Sequence, residues 1–256
     1  GKFFQTMQEK VNAITTHTLF VTLEINRIEE AALADKLKAP ALARYAPWLR
    51  DVRVFRPHQL SDEIEKLLHE KAVAGRSAWV RLFDETVAGL VVPVEGESLG
   101  VEQALHLLSD ANVARRKAAA KALGEVFGTN VRLFALVMNT LAKDKAVEDK
   151  WRRLPTPAAS RHLGNHVEPE VVGALTAAVR NAYPRLSHRY YALKARWMGQ
   201  DKLEYWDRNA PLPEAEDRVI PWNEARKTVL DAYGRFSPEL AAIGKRFFDH
   251  AWIDAP

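Results

Sequence analysis

The stretch that decides the fold class is residues 112–151, NVARRKAAAKALGEVFGTNVRLFALVMNTLAKDKAVEDKW. Its apolar side chains recur mostly at steps of three and four residues, which is the spacing of one face of an α-helix. The members of that face are Ala119, Leu123, Val126, Val131, Phe134, Met138 and Leu141. The pattern predicts one very long helix with this stripe buried. A cap at Ser109 or Asp110 is expected to begin it, and Gly124 and Gly128 to bend it.

Helical patterns continue on both sides of this stretch. Amphipathic spacing covers 4–38 and 42–54, and further helix starts fall at Ser61, Pro169, Pro184, Pro221 and Ser237. The segment GLVVPVEGES at 89–98 is short, β-branched and bracketed by glycine, which is typical of a strand or hairpin. The sequence therefore predicts a mainly α protein, a multi-helical elongated array with at most a short β-hairpin.

The domain organisation follows from what separates these helices. No long flexible linker and no internal repeat interrupts them. Residues 1–256 are therefore expected to form a single helical unit, with a sub-boundary considered near 155–168.

Composition excludes several classes of protein. Of the 256 residues, 47% are hydrophobic and 27% are charged, which argues against a disordered chain. There is no cysteine, which fits a cytoplasmic location. No run approaches the ~20 apolar residues that span a bilayer, so no membrane partner is expected. The 37 basic and 33 acidic residues are interleaved, which argues against a nucleic acid partner.

The histidines do not form a recognisable metal site. A zincin helix carries His-Glu-x-x-His, so that two imidazoles lie one turn apart beside the glutamate that acts on water. The nearest approach is HEKAV at 69–73, where Val73 occupies the place of the second histidine. His162 and His166 are four residues apart, but the Gly-Asn pair between them is unfavourable in a helix. We predict a helix end there, and neither a catalytic nor a metal-binding residue in this chain.

Aromatic residues crowd the region that leads to the stretch LEYWDRNAPLP at 203–213. They are Tyr183, Tyr190, Tyr191, Trp197, Tyr205 and Trp206. One interpretation is a buried helix core. The other is the wall of a cleft that contacts peptide, because aromatic rings with polar tips combine apolar contact with hydrogen bonding.

Four stretches, in this order and spacing, resemble segments of the oligoendopeptidase F family, which are zinc oligopeptidases related to the thimet-type enzymes. The stretches are ARYAPWLRDVRVFRPHQLSDEIEKLL at 43–68, SLGVEQALHLLSDANVARRKAAAKAL at 98–123, SHRYYALKARWMGQDKLEYWDRNAPL at 187–212 and PWNEARKTVLDAYGRFSPELAAIGKRFFDHAWIDAP at 221–256. Residues 1–39 are similar only in helical character.

The resemblance implies a part of a larger, channel-bearing zincin-type peptidase fold. The family's zinc ligands, two histidines and a glutamate, and its general-base glutamate have no matching position here. The chain is expected to end upstream of the zinc helix. In the family, the segment matching Tyr205, Trp206, Asp207 and Arg208 leads to the catalytic core, which implies that these residues line the cleft and bind substrate, or fix the position of the core. An alternative for Asp207 is structural, as an acceptor for nearby backbone amides.

The function implied by the resemblance is that of the non-catalytic helical portion of a zinc metalloendopeptidase acting on oligopeptides. The implied partners are an oligopeptide substrate and a missing C-terminal catalytic half. Zinc would belong to the full-length enzyme and would not be bound by this chain, which would be inactive alone. The alternative interpretation is a non-enzymatic helical scaffold or protein-binding module.

Overall fold

A computed structural model describes residues 2–213 and 218–254 of the chain. Apart from one hairpin and short 3₁₀ turns, the regular structure of this part is helical, which confirms the mainly α class. The α-helices are α1 (Lys2–Arg27), α2 (Glu30–Lys36), α3 (Pro40–Ala43), α4 (Ala46–Arg53), α5 (Asp62–Lys71), α6 (Arg76–Gly89), α7 (Val101–His106), α8 (Val113–Thr129), α9 (Val131–Trp151), α10 (Ala159–Gly164), α11 (Pro169–Ala182), α12 (Ser187–Trp197), α13 (Trp222–Phe236) and α14 (Pro238–Asp249). The last two residues of the chain, within AWIDAP, lie outside the described residues.

The single long helix predicted over 112–151 is wrong, because the stretch forms two helices that meet at Asn130. This residue has φ −100° and ψ 2°, and it ends α8 and precedes α9. Its Nδ2 donates to the carbonyl of Val126 at 2.9 Å, and the Thr129 hydroxyl donates to the same carbonyl at 2.8 Å. Side chains that bond the preceding turn in this way compete with helix continuation.

The start of α8 also differs from the prediction. The capping residue is Asn112, whose Oδ1 accepts a hydrogen bond from the amide of Ala114 at 2.8 Å, and not Ser109 or Asp110. Asp110 instead accepts from the amide of Asn112 at 2.7 Å, which orders the turn ahead of the cap.

The predicted buried stripe holds for α8 and fails in part for α9. Ala119 and Leu123 are buried, but Val131 and Met138 are 57% and 68% exposed. The buried residue of α9 is Val137, which the stripe did not include. The prediction treated α8 and α9 as one continuous helix. Because the helix is interrupted at Asn130, a different side of α9 faces the core.

The two upstream helical predictions are each divided in the structure. Residues 4–38 form α1 and α2, separated at Glu29, whose backbone is extended with ψ 148°. Residues 42–54 fall in α3 and α4, and α4 carries Pro47 in its first turn, where the missing amide proton is tolerated. Periodicity located the helical regions but not these short interruptions.

The predicted hairpin is confirmed. Strands β1 (Val91–Val94) and β2 (Glu97–Gly100) pair antiparallel, with Val94 opposite Glu97. The two turn residues, Glu95 and Gly96, have φ of 51° and 88°. Positive φ at both central positions is the requirement of the two-residue turn whose twist matches that of the strands. The hairpin therefore folds tightly and places its inner face against the helices.

The core next to the candidate site is built by this hairpin, α7 and α8. Its buried members are Val92, Val94, Val101, Ala104, Ala119, Ala122 and Leu123. Small residues on α8 let the strand approach closely, and this packing fixes the position of α8. The same helix carries the residues that hold the candidate site.

The chain divides into two compact units, residues 1–211 and residues 212–256. In the second unit, α13 packs against α14, and Ser237 caps α14 by accepting from the amide of Leu240 at 3.2 Å, as its Ser-Pro start predicts. Whether residues 1–256 fold as one domain stays a prediction. Within the described residues, no helix combines the length and the apolar character needed to cross a membrane.

Candidate functional site

The stretch LEYWDRNAPLP turns sharply between residues 204 and 210. Residues Tyr205–Asp207 form a 3₁₀ turn, and the amide of Asp207 donates to the carbonyl of Glu204 at 3.0 Å. The amide of Ala210 then donates to the carbonyl of Asp207 at 3.1 Å. Within these two turns Asp207 and Ala210 are buried, whereas Tyr205 and Arg208 are exposed.

Asp207 lies on the inner side, with an exposed fraction of 0%. Its Oδ1 accepts from Nη2 and Nε of Arg116 on α8, at 2.6 and 3.1 Å, and its Oδ2 accepts from Nε2 of Gln200 at 2.9 Å. Arg116 is itself only 2% exposed. Both carboxylate oxygens are thus occupied by side chains from inside the fold.

Arg116 also binds the backbone ahead of its own helix. Its Nη1 donates to the carbonyls of Asp110 and Ala111 at 2.8 and 2.9 Å. A buried guanidinium is tolerated when its charge is paired and its donors are bonded, which is the case here. Arg116 therefore ties the start of α8 to the turn at Asp207.

Lys194 on α12 is the second buried cation of this cluster, with 3% exposure. Its Nζ donates to the carbonyls of Arg208 and Ala210, at 2.8 and 2.6 Å. Burial lowers the pKa of Lys194 below its ordinary value, the positive charge of Arg116 lowers it further, and Asp207 opposes both effects. We call Arg116, Lys194, Gln200 and Asp207 the Asp207 cluster.

A cavity of about 690 Å³, here called the Trp206 cavity, opens on the other side of the same segment. Tyr205, Trp206 and Arg208 line it, whereas Asp207 does not. The remaining lining residues are Leu108, Ala120, Leu123, Tyr191, Ala192, Ala195, Asp201, Lys202, Leu203, Glu204 and Asn209. The lining is mostly aliphatic and aromatic, with charged groups among the residues of the 201–209 segment.

The aromatic pair of this wall has a defined geometry. The rings of Tyr205 and Trp206 meet edge to face with centroids 4.7 Å apart. Nζ of Lys117 lies 5.1 Å from the centroid of the Trp206 ring, within the range of a cation–π contact. Tyr205 is 66% exposed, so a bound molecule can reach its ring and hydroxyl.

Comparison with known proteins finds similarity to bacterial oligopeptidases. The family model described as Oligopeptidase F matches residues 24–91. The oligopeptidase PepF of Bacillus subtilis (strain 168) is 24% identical over 265 residues, covering 99% of this chain and 39% of PepF. The group B oligopeptidase PepB of Streptococcus agalactiae serotype III (strain NEM316) is 26% identical over 229 residues, covering 85% of this chain and 37% of PepB.

The fold agrees with these matches. The solved oligoendopeptidase-F of Enterococcus faecium superimposes with a TM-score of 0.68 at 20% identity, over 97% of this chain and 52% of that one. The chain resembles the oligoendopeptidase F family in sequence and in fold. It spans about two fifths of the length of the curated relatives, 39% and 37%.

A zinc site of the family type is not assembled by the described residues. They contain no group of three or more His, Cys, Asp or Glu side chains that could hold a metal ion. His162 lies in α10, which ends at Gly164, and His166 follows with φ 51°, so the two imidazoles do not share a helix face. Nδ1 of His166 is 3.9 Å from a carboxylate oxygen of Asp51. Neither His162 nor His166 therefore has a set of further ligands placed for zinc among the described residues.

Sequence reasoning found the segment but missed the residues that hold it. Arg116 lies in a stretch that resembles the family, yet an arginine on a helix gives no sign of pointing inward. Lys194 likewise lies among basic residues, a pattern that predicts a solvent-exposed side chain. The structural alternative for Asp207, bonding to nearby backbone amides, differs from what is observed, since its carboxylate accepts from Arg116 and Gln200.

Proposed function

We propose that this chain is the non-catalytic helical portion of a zinc metalloendopeptidase that hydrolyses peptide bonds in oligopeptides. The observation that carries the proposal is the match to oligopeptidase PepF along 99% of this chain, which accounts for 39% of the relative. The remaining length of such relatives leaves room for the zinc site that this sequence lacks. Oligopeptide is accordingly the substrate class we assign to the complete enzyme.

Tyr205, Trp206 and Arg208 are proposed to contact the peptide. A mostly apolar cavity with a few polar groups at its edge is the usual form of a site for a small ligand. The two rings supply flat apolar surface, the tyrosine hydroxyl can donate or accept, and the Arg208 guanidinium can bind a peptide carbonyl or carboxylate. Asp207, which has no exposed surface, is proposed to act on the substrate only through its neighbours.

The exposed apolar side chains of α11 support a role within a larger protein over that of a free-standing scaffold module. Val171, Leu175 and Val179 follow one another at four-residue steps and are 54%, 63% and 44% exposed. Contiguous exposed apolar surface commonly marks a site of contact with other protein. A self-contained scaffold would instead be expected to cover such a stripe.

The first test measures zinc content and peptide cleavage on the same sample of purified chain. We expect less than ~0.1 zinc per chain and no cleavage of an internally quenched nonapeptide. Both would follow from the absence of His-Glu-x-x-His in the sequence. Stoichiometric zinc, or cleavage by a preparation free of any longer polypeptide, would overturn the proposal that this portion is non-catalytic.

The second test measures binding of a fluorescein-labelled nonapeptide by fluorescence anisotropy. Tyr205→Ala and Trp206→Ala are each expected to weaken the Kd about 5- to 30-fold, since a lost aromatic contact is worth about 1–2 kcal/mol. Tyr183→Ala is the matched control, because Tyr183 is 45% exposed but does not line the cavity. Equal Kd values for all three variants would contradict the assignment of the wall.

A further inference from the structure

The helices that hold the Asp207 cluster also form the floor of the Trp206 cavity. On α8, Arg116 is followed by Ala120 and Leu123 at four and seven residues, which is one helix face. Arg116 bonds Asp207, while Ala120 and Leu123 line the cavity. One face of α8 therefore contacts the buried side of the 205–210 segment and also forms part of the cavity lining.

The same arrangement recurs on α12. Lys194 bonds the backbone of the segment, and its neighbours Tyr191 and Ala195 line the cavity. Ala195 is 2% exposed, so this part of α12 is firmly packed. Two helices thus contact the segment on the side away from the cavity, each through one buried cation.

Apart from Arg116 and Lys194, the segment is held by burial of Ala210 and by the contacts of Gln200 with Asp207 and of Lys117 with Trp206. Its local hydrogen bonds are those of two short turns, one ending at Asp207 and one at Ala210. Both Tyr205 and Arg208 are exposed and cannot anchor it by burial. The carbonyls of Arg208 and Ala210 are turned to Lys194 rather than to solvent or to a neighbouring strand.

Burying two cations and one anion at this place is energetically demanding. Ion pairs taken out of water gain little net stability over apolar residues of equal size, although removal of one partner is costly. Arg116 and Lys194 each donate to groups on the same short segment, and the directions of those bonds fix its position. Apolar side chains would fill the same volume without specifying the orientation of the turn.

We propose that Arg116 and Lys194 are positioning residues of the Trp206 cavity, which hold the 205–210 segment from behind so that its wall is formed before a ligand arrives. The inference rests on the proposed function for its ligand, an oligopeptide. Neither residue touches the cavity, and each acts through Asp207 or through the segment backbone. A preformed wall lowers the cost of ordering the site on binding.

The variants are Lys194→Met, which keeps the apolar stem and removes the donors, and Arg116→Met. The control is Arg152→Met, because Arg152 bonds Glu65 with both terminal nitrogens, at 2.7 and 2.9 Å, and lies outside the cavity lining. Amide hydrogen exchange, followed by mass spectrometry, reports the order of residues 203–211. The Kd of the labelled nonapeptide is measured on the same proteins.

In Lys194→Met and Arg116→Met we expect exchange in residues 203–211 to accelerate at least tenfold, with protection in α9 changed less than threefold. The nonapeptide Kd is expected to weaken at least tenfold. Lys194→Arg, which keeps the donors, should restore at least half of the lost protection. In Arg152→Met, exchange in residues 203–211 and the Kd should both stay within twofold of the unaltered chain.

The proposal is overturned if exchange in residues 203–211 is unchanged in Lys194→Met, or if Arg152→Met loosens the segment equally. It is also overturned if protection is lost to the same extent in α9, since that outcome would show general destabilisation. If Arg116→Met does not fold, the positioning role is judged from the exchange measured in Lys194→Met alone. If the unaltered chain binds no nonapeptide, the peptide-binding wall is wrong, and the exchange measurement alone decides the positioning role.

Discussion

At the scale of single residues, consecutive residues of the 205–208 segment differ in solvent exposure, although the sequence alone gives no reason to distinguish them. Tyr205, Trp206 and Arg208 face a cavity, while Asp207 between them has no exposed surface. The turn ending at Asp207 accounts for this difference, because it points one side chain inward to Arg116 and leaves the others outside. A charged residue among exposed neighbours, such as Asp207, can therefore be buried and paired inside the fold.

Removing the Asp207 carboxylate should destabilise the fold strongly. In Asp207→Ala the guanidinium of Arg116 stays buried without its anion, and we expect the free energy of unfolding to fall by about 3–5 kcal/mol. Denaturant unfolding followed by circular dichroism measures the change. The control is Asp201→Ala, at an exposed acid nearby, which should change the value by less than about 0.5 kcal/mol. A loss below about 1 kcal/mol in Asp207→Ala would contradict this account.

The ion pair of Glu65 and Arg152 predicts a loss of stability in acid. Burial favours the neutral form of Glu65, and nearby Asp62 adds to this. Hydrogen bonds from Arg152 and from the Leu60 amide, with the charge of Arg152, outweigh both and lower the pKa below 4.5. Because the pKa is lower in the folded state, the stabilisation is present above pH 4.5 and is lost as the pH falls through the folded value.

Urea unfolding at pH 6 and at pH 3 tests this dependence. The unaltered chain should lose more of its free energy of unfolding between the two values than Glu65→Gln, which has no carboxylate to titrate. Glu97→Gln, at an exposed strand position, serves as the control and should keep the full acid sensitivity. Equal losses in the unaltered chain and in Glu65→Gln would show that this pair does not contribute.

At the scale of elements, helical periodicity located the helices, whereas their interruptions depended on particular hydrogen bonds. Three-to-four spacing marks 112–151 as helical throughout, yet Asn130 divides it. The asparagine amide and the neighbouring threonine hydroxyl bond a carbonyl of the preceding turn, an effect that apolar spacing does not register. The hairpin was predictable because its turn needs a glycine at positive φ and its flanks are β-branched.

The caps of α8 and α5 offer a matched comparison. Asn112 accepts a hydrogen bond from the Ala114 amide at 2.8 Å, while Ser61, at the equivalent position of α5, makes no side-chain cap bond. Asn112→Ala should therefore lower the free energy of unfolding by about 1 kcal/mol, and Ser61→Ala by less than about 0.3 kcal/mol. Thermal and denaturant unfolding of both variants would check the order, and equal losses would contradict it.

At the scale of the whole molecule, the exposed apolar face of α11 predicts association. Val171, Leu175 and Val179 present apolar surface that water solvates poorly, so the purified chain should self-associate as its concentration rises. Sedimentation velocity from about 1 to 100 µM measures this. Leu175→Glu should reduce the associated fraction, whereas Val113→Glu, at an exposed residue next to Asn112 at the start of α8, should not. A chain that stays monomeric throughout would argue against a contact role for α11.

The sequence by itself determined the helical class, the hairpin and the resemblance to oligoendopeptidase F, because these depend on local spacing, turn chemistry and the order of motifs along the chain. It also identified the segment 203–213 as the candidate functional site. Only the tertiary structure decided which residues of that segment are available to a ligand and which are buried. The reason is physical: Arg116, Lys194 and Asp207 are brought together from positions up to 91 residues apart, and burial is a property of that packing rather than of any one of the three.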